Sequence, residues 1–222
     1  MDIMEAIRAR HSVRRYLDKP IEEDKIAALR EEIALCNREG NLHIQLVTDE
    51  PKAFDGFMAH YGKFSGVRNY FAMIGPKGDG LDERVGYYGE RLVLLSQTLG
   101  LNTCWVALTF RKGKVPAAVE KGEKMACVIS LGYGETQGTA HRSKPMESLC
   151  EVDGPMPDWF RKGMEAALLA PTAVNQQKFM ITLKDGKVTA RSTGGFCSGT
   201  DLGIVKYHFE AGAGTGVFSR EA

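Results

Sequence analysis

The sequence lacks an excess of charge of either sign. Its 222 residues include 29 Lys and Arg against 28 Asp and Glu, which gives a formal net charge of +1. A chain without a strong positive field has little long-range attraction for nucleic acid or for an anionic membrane. We therefore expect no nucleic-acid partner and no membrane partner, and any site for an anionic ligand must be local.

Long hydrophobic runs are also missing. The longest apolar stretches are far shorter than the roughly 20 residues that span a bilayer. Residues 1–5 show neither the basic segment nor the apolar run that is typical of a signal peptide. With 43% hydrophobic and 26% charged residues, the composition is that of a globular protein with a substantial core.

The five cysteines lack any pairing pattern. They are scattered along the chain, odd in number and without a C-x-x-C pair. This excludes the disulfide framework of small secreted proteins and a structural zinc site, and it favours a reducing, cytoplasmic location. Cys104 reads as a small buried hydrophobe. His43 and His60 have no ligand-like spacing, so we expect no metal.

Hydrophobic periodicity predicts an α+β protein. Helical spacing predicts helices over 22–36, 51–61, 82–99, 157–169 and 201–211, and apolar runs predict strands at 43–47, 70–74, 104–106, 125–131, 179–183 and 188–191. The order lacks strict alternation of strand and helix, which favours the α+β class. Three prolines and a glycine in 145–157 predict a connection between a larger and a smaller part.

A short basic motif follows the first helix. Arg10, Ser12 and Arg14 place two guanidinium groups four residues apart with a hydroxyl between them. Arginine offers planar, forked donors and serine a compact one, so the three side chains can converge on one phosphate group. The alternative is a solvated basic helix end, because Lys and Arg are common at helix C-termini. The spacing alone favours this alternative.

A polar turn follows the predicted helix 157–169. Pro171 ends that helix, and Thr172 and Asn175 then present a hydroxyl and an amide, with Gln177 two residues further on. Such a turn can hydrogen-bond the carbonyl and N–H edges of a planar heterocycle. The alternative is a helix-terminating loop in which Asn175 has only a turn role, and for this segment alone it is favoured.

Together, the two segments resemble two signatures of the nitroreductase family of FMN-dependent enzymes. In that family an R-x-S-x-R segment binds the FMN phosphate, and a P-S-x-x-N-x-Q segment reaches the flavin from the partner subunit of an intertwined dimer. Here the first signature reads Arg10, Ser12 and Arg14, and the second reads Pro171, Thr172, Asn175 and Gln177. Threonine replaces serine and keeps the hydroxyl.

Further stretches are similar to the same family. Residues 87–105 resemble its long central helix and the strand that follows, 127–134 a strand that ends in a Gly-Tyr turn, and 141–145 a basic segment that approaches the phosphate. The resemblance implies an α+β, nitroreductase-like fold with a central mixed or antiparallel sheet flanked by helices.

The order of the signatures departs from the family. There the P-S-x-x-N segment follows the second helix, near the place of residues 34–40, which contain no Pro-Ser pair. The signature instead follows 159–169, and residues 201–204 look like part of a shortened second copy of the central helix. The resemblance therefore implies two fused, unequal halves, 1–150 and 151–222. One chain would mimic the family dimer, as a monomer or as a homodimer.

The same resemblance implies further contacts with FMN. Arg142 or Lys144 would supply a third cation for the phosphate, and His11 its backbone N–H. Ala107, Leu108 and Thr109 would place backbone N–H groups near the flavin N5. Arg68 and Asn69 would form a polar pair at the flavin edge. No side chain is assigned a catalytic role, because the chemistry occurs on FMN.

The implied function is reduction of a small-molecule electron acceptor, such as a nitroaromatic compound or a quinone, by NAD(P)H. No G-x-G-x-x-G motif follows a strand, so we expect the nicotinamide to dock transiently on the flavin and not in a Rossmann domain. Three alternatives stay open: a non-catalytic FMN carrier or sensor, a flavin enzyme that dehalogenates or fragments flavin, and a site for another phosphate-bearing ligand.

Overall fold

The computed structural model describes residues 1–214 and 216–218. Their α-helices are α1 (Ile3–Ala9), α2 (Glu23–Gly40), α3 (Phe57–Tyr61), α4 (Leu81–Thr98), α5 (Asp158–Ala167) and α6 (Ser198–Ala213). Their strands are β1 (Gln45–Val47), β2 (Asn69–Pro76), β3 (Asn102–Val106), β4 (Glu123–Gly132), β5 (Cys150–Val152), β6 (Phe179–Lys184) and β7 (Lys187–Ser192). None of the helices in these ranges is both long and apolar enough to cross a membrane.

The larger sheet is antiparallel, with strand order β1-β2-β4-β3. Its central strands, β2 and β4, are buried on both faces over most of their length, which explains why they read as continuous apolar runs. One face packs against α2 and α4. The other face packs against the N-terminal segment and residues 53–67. The predicted α+β class and antiparallel central sheet are confirmed.

The smaller sheet has the order β5-β6-β7. Strands β6 and β7 form the predicted hairpin, and β5 pairs parallel with β6. The connection predicted at 145–157 contains β5, a strand of three residues that is too short to show a period in the sequence. Helices α5 and α6 cover this sheet with a core of their own, against which Trp105 of the larger sheet also packs.

One predicted helix is mostly absent. Only Phe57–Tyr61 of the segment 51–61 is helical, and the residues before it form turns. Phe54 is buried against the rings of Phe64 and Tyr70, whereas Phe57 is 82% exposed. Phe54 and Phe57 therefore have helical spacing without belonging to one helix: Phe54 is a core residue in a turn, and Phe57 begins α3 on the surface. The helix prediction for 51–56 was wrong.

Candidate functional site

A cleft of about 670 Å³ lies between the larger sheet and the N-terminal end of α6. This volume falls within the range of small-molecule sites, roughly 300–1,000 Å³. The described residues that line it are those at 61–64, 104–109, 124–127 and 171–174, together with Ser12, Arg14, Asp82, Phe196, Cys197, Thr200, Asp201 and Ile204. Ser12 and Arg14 thus share one cleft with Pro171 and Thr172, although some 160 positions separate the two segments.

The N-terminal segment reaches the cleft because it runs extended along β3. Helix α1 begins with a capping box between Asp2 and Glu5 and ends at Arg10, whose backbone is extended. The Val13 N–H then donates to the Thr103 carbonyl at 3.0 Å. Alternation along extended backbone buries Val13 in the core and leaves Ser12 and Arg14 on the cleft side.

Arg10 lies behind the cleft wall. Its side chain is 4% exposed, and its Nε is buried without a hydrogen-bond partner in the described part of the chain. The nearest carboxylate oxygen is Oε1 of Glu90, 3.8 Å from Nε. A buried guanidinium with an unused donor fits an anionic ligand that would complete its hydrogen bonds.

The turn at 171–177 has an unusual backbone. Val174, Asn175 and Gln177 all have positive φ, at 47°, 55° and 45°. Such conformations are costly for residues other than glycine and cluster at ligand sites. Val174 is 92% exposed at the cleft, so its side chain gains no burial in return.

Asp201 of α6 holds this turn in place. Its carboxylate accepts from the Ala173 N–H at 2.9 and 3.1 Å and from Nε2 of Gln176 at 2.6 Å. Burial raises the pKa of Asp201 above its usual value. Within the turn, Thr172 Oγ1 accepts from the Gln177 N–H at 3.0 Å, which leaves the Thr172 hydroxyl hydrogen free to donate to a ligand.

The basic segment 141–145 packs against the same turn, but its contacts are internal to the protein. The side-chain amides of Asn175 and Gln177 donate to the Arg142 carbonyl at 3.1 and 2.9 Å. Lys144 Nζ donates to the carbonyls of Gln176 and Gln177 at 2.7 and 3.1 Å. The described lining residues include none of these five. Asn175, Gln177 and Lys144 therefore shape the turn in this structure.

The remaining predicted residues divide between the cleft and other places. Ala107 and Leu108 line the cleft just after β3, with Leu108 64% exposed. His11 is half-buried next to Arg10, and burial together with the charge of Arg10 lowers its pKa. Arg68 pairs with Asp49 and Asp18 and lines a separate hollow, and Asn69 accepts from the Asp49 N–H at 3.1 Å. The structure does not bring Arg68 and Asn69 to the cleft.

Several polar lining residues were missed by the motifs. Lys63 precedes β2 and has a positive φ of 61°. Asp82 pairs with Lys124 at 3.0 Å on the rim. Asp201 shares the wall with the turn that it holds. Asp82 carried a signal as a helix start, but the sequence around Lys63, Lys124 and Asp201 has no pattern that points to a site.

Three cysteines line the cleft, namely Cys104, Cys127 and Cys197. Burial raises the pKa of each thiol. They are therefore protonated at neutral pH and poor nucleophiles, and the expectation that Cys104 is a buried hydrophobe is confirmed. Among the described residues, no group of three or more His, Cys, Asp or Glu side chains is arranged to hold a metal ion.

A protein-family model described as "Putative TM nitroreductase" matches residues 2–213. The chain belongs to this nitroreductase family. The family resemblance read from the two signatures is thus confirmed, as is the nitroreductase-like fold. No curated protein sequence matches this nitroreductase-family chain.

Solved structures of nitroreductases share the fold. A "putative nitroreductase" of Thermotoga maritima MSB8 is 24% identical, with a TM-score of 0.63, over 95% of this chain and 83% of that chain. A "putative nitroreductase in complex with FMN" from Desulfovibrio desulfuricans is 18% identical, with a TM-score of 0.53, over 71% of this chain and 99% of that chain.

A third similar structure comes from Bacteroides thetaiotaomicron VPI-5482 and is described as a "putative NADH dehydrogenase/NAD(P)H nitroreductase". It is 22% identical, with a TM-score of 0.50, over 66% of this chain and 95% of that chain. The Desulfovibrio and Bacteroides structures therefore match over nearly their whole length but cover only about two thirds of the present chain. The Thermotoga structure covers almost all of it.

Proposed function

We propose that the protein is an FMN-dependent oxidoreductase that uses NAD(P)H to reduce nitroaromatic compounds, quinones or similar small acceptors. The observation that carries the proposal is that Arg14 and Thr172 line the same cleft. Each belongs to one of the two segments that resemble the family signatures. The complex of the Desulfovibrio neighbour with FMN and the NAD(P)H in the description of the Bacteroides neighbour support the cofactor and the reductant.

The residues present fit a phosphate-bearing planar ligand. Arg14 and Ser12 would bind the phosphate from the cleft, and Arg10 would supply its unused donor from behind the wall. The Thr172 hydroxyl and the backbone at Ala107 and Leu108 would bind the ring system. When bound, FMN supplies the hydride transfer between NAD(P)H and the acceptor.

The side chains of the cleft position the ligand and exclude water, and none of them is assigned a role as a general acid or base. Both carboxylate oxygens of Asp201 accept hydrogen bonds within the protein, and the three cleft cysteines are protonated. The exposed apolar side chains of Tyr61, Leu108 and Phe196 border the opening. We assign to them the exclusion of water once an aromatic substrate is seated.

The proposal includes two unequal halves, 1–150 and 151–222. The order helix, two antiparallel strands, helix occurs as α2, β1, β2, α4, with α3 inserted between the strands, and again as α5, β6, β7, α6. The Desulfovibrio and Bacteroides neighbours match 71% and 66% of this chain over 99% and 95% of their own lengths, which is consistent with this division.

The crossing of α4 and α6 supports the same division. A Cβ added at Gly86 would lie 2.0 Å from the Thr200 carbonyl oxygen, and one added at Gly203 would lie 2.0 Å from the Glu83 carbonyl oxygen. Each glycine thus meets the carbonyl three positions before the other glycine. Such reciprocal contacts are typical of elements related by a two-fold axis.

The visible spectrum of the purified protein tests the function. We expect a yellow protein whose flavin absorbance bleaches with NADH or NADPH without oxygen and recovers when a nitroarene or quinone is added. A yellow protein that no nicotinamide bleaches would be a flavin carrier, and one that bleaches but does not recover with either acceptor would indicate other flavin chemistry. A colourless protein that does not bind added FMN would overturn the flavin assignment.

Dilution tests the halves. One FMN per chain is expected, whether light scattering gives the mass of a monomer or of a homodimer, and loss of FMN when the protein is diluted to a monomer would contradict the two fused halves. We place the protein in the cytoplasm, where its five free thiols would stay reduced.

A further inference from the structure

A buried cluster of polar side chains lies behind the cleft wall formed by Trp105. Glu90 of α4 is its centre and is fully buried, as is His208 of α6. Glu90 Oε2 accepts a hydrogen bond from Nε1 of Trp105 at 2.8 Å. Glu90 Oε1 lies 2.9 Å from Nε2 of His208 and 3.8 Å from Nε of Arg10. Charges at such depth are costly unless they are balanced, so the proton count of the cluster matters.

The hydrogen bonds fix how many protons the Glu90–His208 pair holds. Nδ1 of His208 lies 3.0 Å from the Ala166 carbonyl oxygen, which can only accept, so Nδ1 carries a hydrogen. Nε2 faces a carboxylate oxygen, and one of these two atoms must donate to the other. One proton therefore lies between His208 and Glu90. The pair is neutral overall, whether as imidazolium and carboxylate or as imidazole and carboxylic acid.

A neutral pair leaves the charge of Arg10 uncancelled. The distance of 3.8 Å between Arg10 Nε and Glu90 Oε1 is too long for a hydrogen bond, and Nε has no partner among the described residues. Arg10, Glu90 and His208 together carry one net positive charge. That charge acts on Cys104 of the cleft wall: burial raises the pKa of this thiol, and the charges of Arg14 and Arg10 oppose the rise.

We propose that His208 and Glu90 are positioning residues that keep Arg10 available for an anionic phosphate group. By holding Glu90 in a neutral pair, His208 prevents the carboxylate from neutralising Arg10. The anion is taken to be the phosphate of FMN, so the inference rests on the proposed function. It extends the site to two residues that contact neither the cleft nor the ligand.

The net charge of Arg10, Glu90 and His208 differs among the variants, and it predicts the order of their affinities for FMN. In His208→Gln the cluster loses its shared proton, so the Glu90 carboxylate neutralises Arg10 and the net charge falls to zero. In Glu90→Gln, His208 becomes a neutral imidazole that donates to Ala166 and accepts from the new amide, and the charge of Arg10 persists. The double variant again has one net positive charge.

The test measures dissociation constants of FMN and of riboflavin, which lacks the phosphate, by quenching of flavin fluorescence. We expect His208→Gln to weaken FMN binding by about tenfold or more, the scale of a charge-assisted contact, with little change for riboflavin. Adding Glu90→Gln to that variant should restore most of the FMN affinity. Glu210→Gln is the control, because this buried carboxylate bonds Tyr87 and not Arg10.

A merely structural role would weaken FMN and riboflavin together and would make the double variant the weakest. Either result would overturn the inference. If His208→Gln does not fold, Glu90→Gln alone decides: FMN binding as weak as in Arg10→Ala would overturn the inference, and a smaller loss would support it.

Inorganic phosphate separates this inference from the flavin assignment. A phosphate-dependent rise in Tm should follow the same order of variants even if the wild type binds no flavin. If the wild type binds neither FMN nor riboflavin but the rises in Tm follow this order across the variants, only the proposed function is refuted. Equal rises in His208→Gln and the wild type would refute the inference alone.

Discussion

The guanidinium carbon of Arg14 lies 5.9 Å from the centroid of the Phe64 ring. The backbone fixes this pair, because the Ser65 N–H donates to the Arg14 carbonyl at 3.0 Å. A cation over an aromatic face is held without loss of its hydrogen-bond donors. Arg14 is therefore oriented along the cleft before a ligand arrives.

Replacing Arg14 with alanine should weaken FMN binding by about 1.5–3 kcal/mol, the usual contribution of a hydrogen bond to a charged group. Arg10→Ala should have a similar effect. Arg15→Ala is the matched control, since Arg15 is 63% exposed and pairs with Glu135 at 3.3 Å. Fluorescence titration with FMN and riboflavin would check this. Unchanged FMN affinity in both Arg10→Ala and Arg14→Ala would remove the phosphate assignment.

Asp201→Asn should destabilise the protein by about 1–3 kcal/mol near pH 7, because an amide keeps only one acceptor oxygen and turns an NH2 group toward the donors of Ala173 and Gln176. The difference in unfolding free energy between the wild type and Asp201→Asn should also depend on pH. A raised folded pKa means that the contribution of Asp201 is fully present below the unfolded value of about 3.9 and is lost as pH rises through the folded value.

Acidification from about pH 7 to about pH 4 should therefore favour the wild type over Asp201→Asn, which does not titrate at this position. Urea unfolding of both proteins across this range measures the difference in unfolding free energy. A difference that stays constant, or that shrinks on acidification, would count against a raised pKa at Asp201.

Val174→Gly should leave the unfolding free energy unchanged or raise it by up to about 1 kcal/mol. Left-handed backbone costs a non-glycine residue roughly 1–2 kcal/mol, and glycine loses only about 0.5–1 kcal/mol through chain entropy. Val119 is also exposed, but its φ is not positive. Val119→Gly should therefore destabilise by about 0.5–1 kcal/mol. Equal losses in the two variants would argue against strain at Val174.

Gly203→Ala should destabilise by about 1–3 kcal/mol or more, because the new methyl would meet the Glu83 carbonyl oxygen and the Tyr87 backbone nitrogen at 2.0 and 2.6 Å. Gly113→Ala has no atom within 4 Å of its Cβ and should change stability by less than about 0.5 kcal/mol. Denaturant unfolding of both variants checks the close approach of α4 and α6. Equal stabilities would contradict it.

The sequence predicts the fold well where one pattern dominates. Helix α4 and strands β2 and β4 lie close to their predicted places, since a long apolar stripe or a buried run leaves few alternatives. The prediction fails at 51–56, where Phe54 belongs to the core although its spacing matches α3. Strand β5 pairs parallel to β6 through only three residues, and such non-local pairing leaves no local signal.

The site is predictable from the sequence only in its outline. Contiguous motifs give Ser12, Arg14, Pro171 and Thr172, and the structure places all four in one cleft. Asn175 and Gln177 carry the right chemistry, but their amides bond the Arg142 carbonyl, which no linear pattern reveals. Glu90 was missed because a charged residue inside an apolar helix pattern reads as a surface position until its partners are known.

Because Arg14 and Thr172 belong to one polypeptide, the two walls of the cleft cannot dissociate on dilution. Tethered elements meet at an effective concentration on the order of millimolar, whatever the amount of protein present. A single molecule therefore carries both of these walls. A substitution near Thr172 also alters one wall alone, whereas in a symmetric homodimer the same change would appear in every site at once.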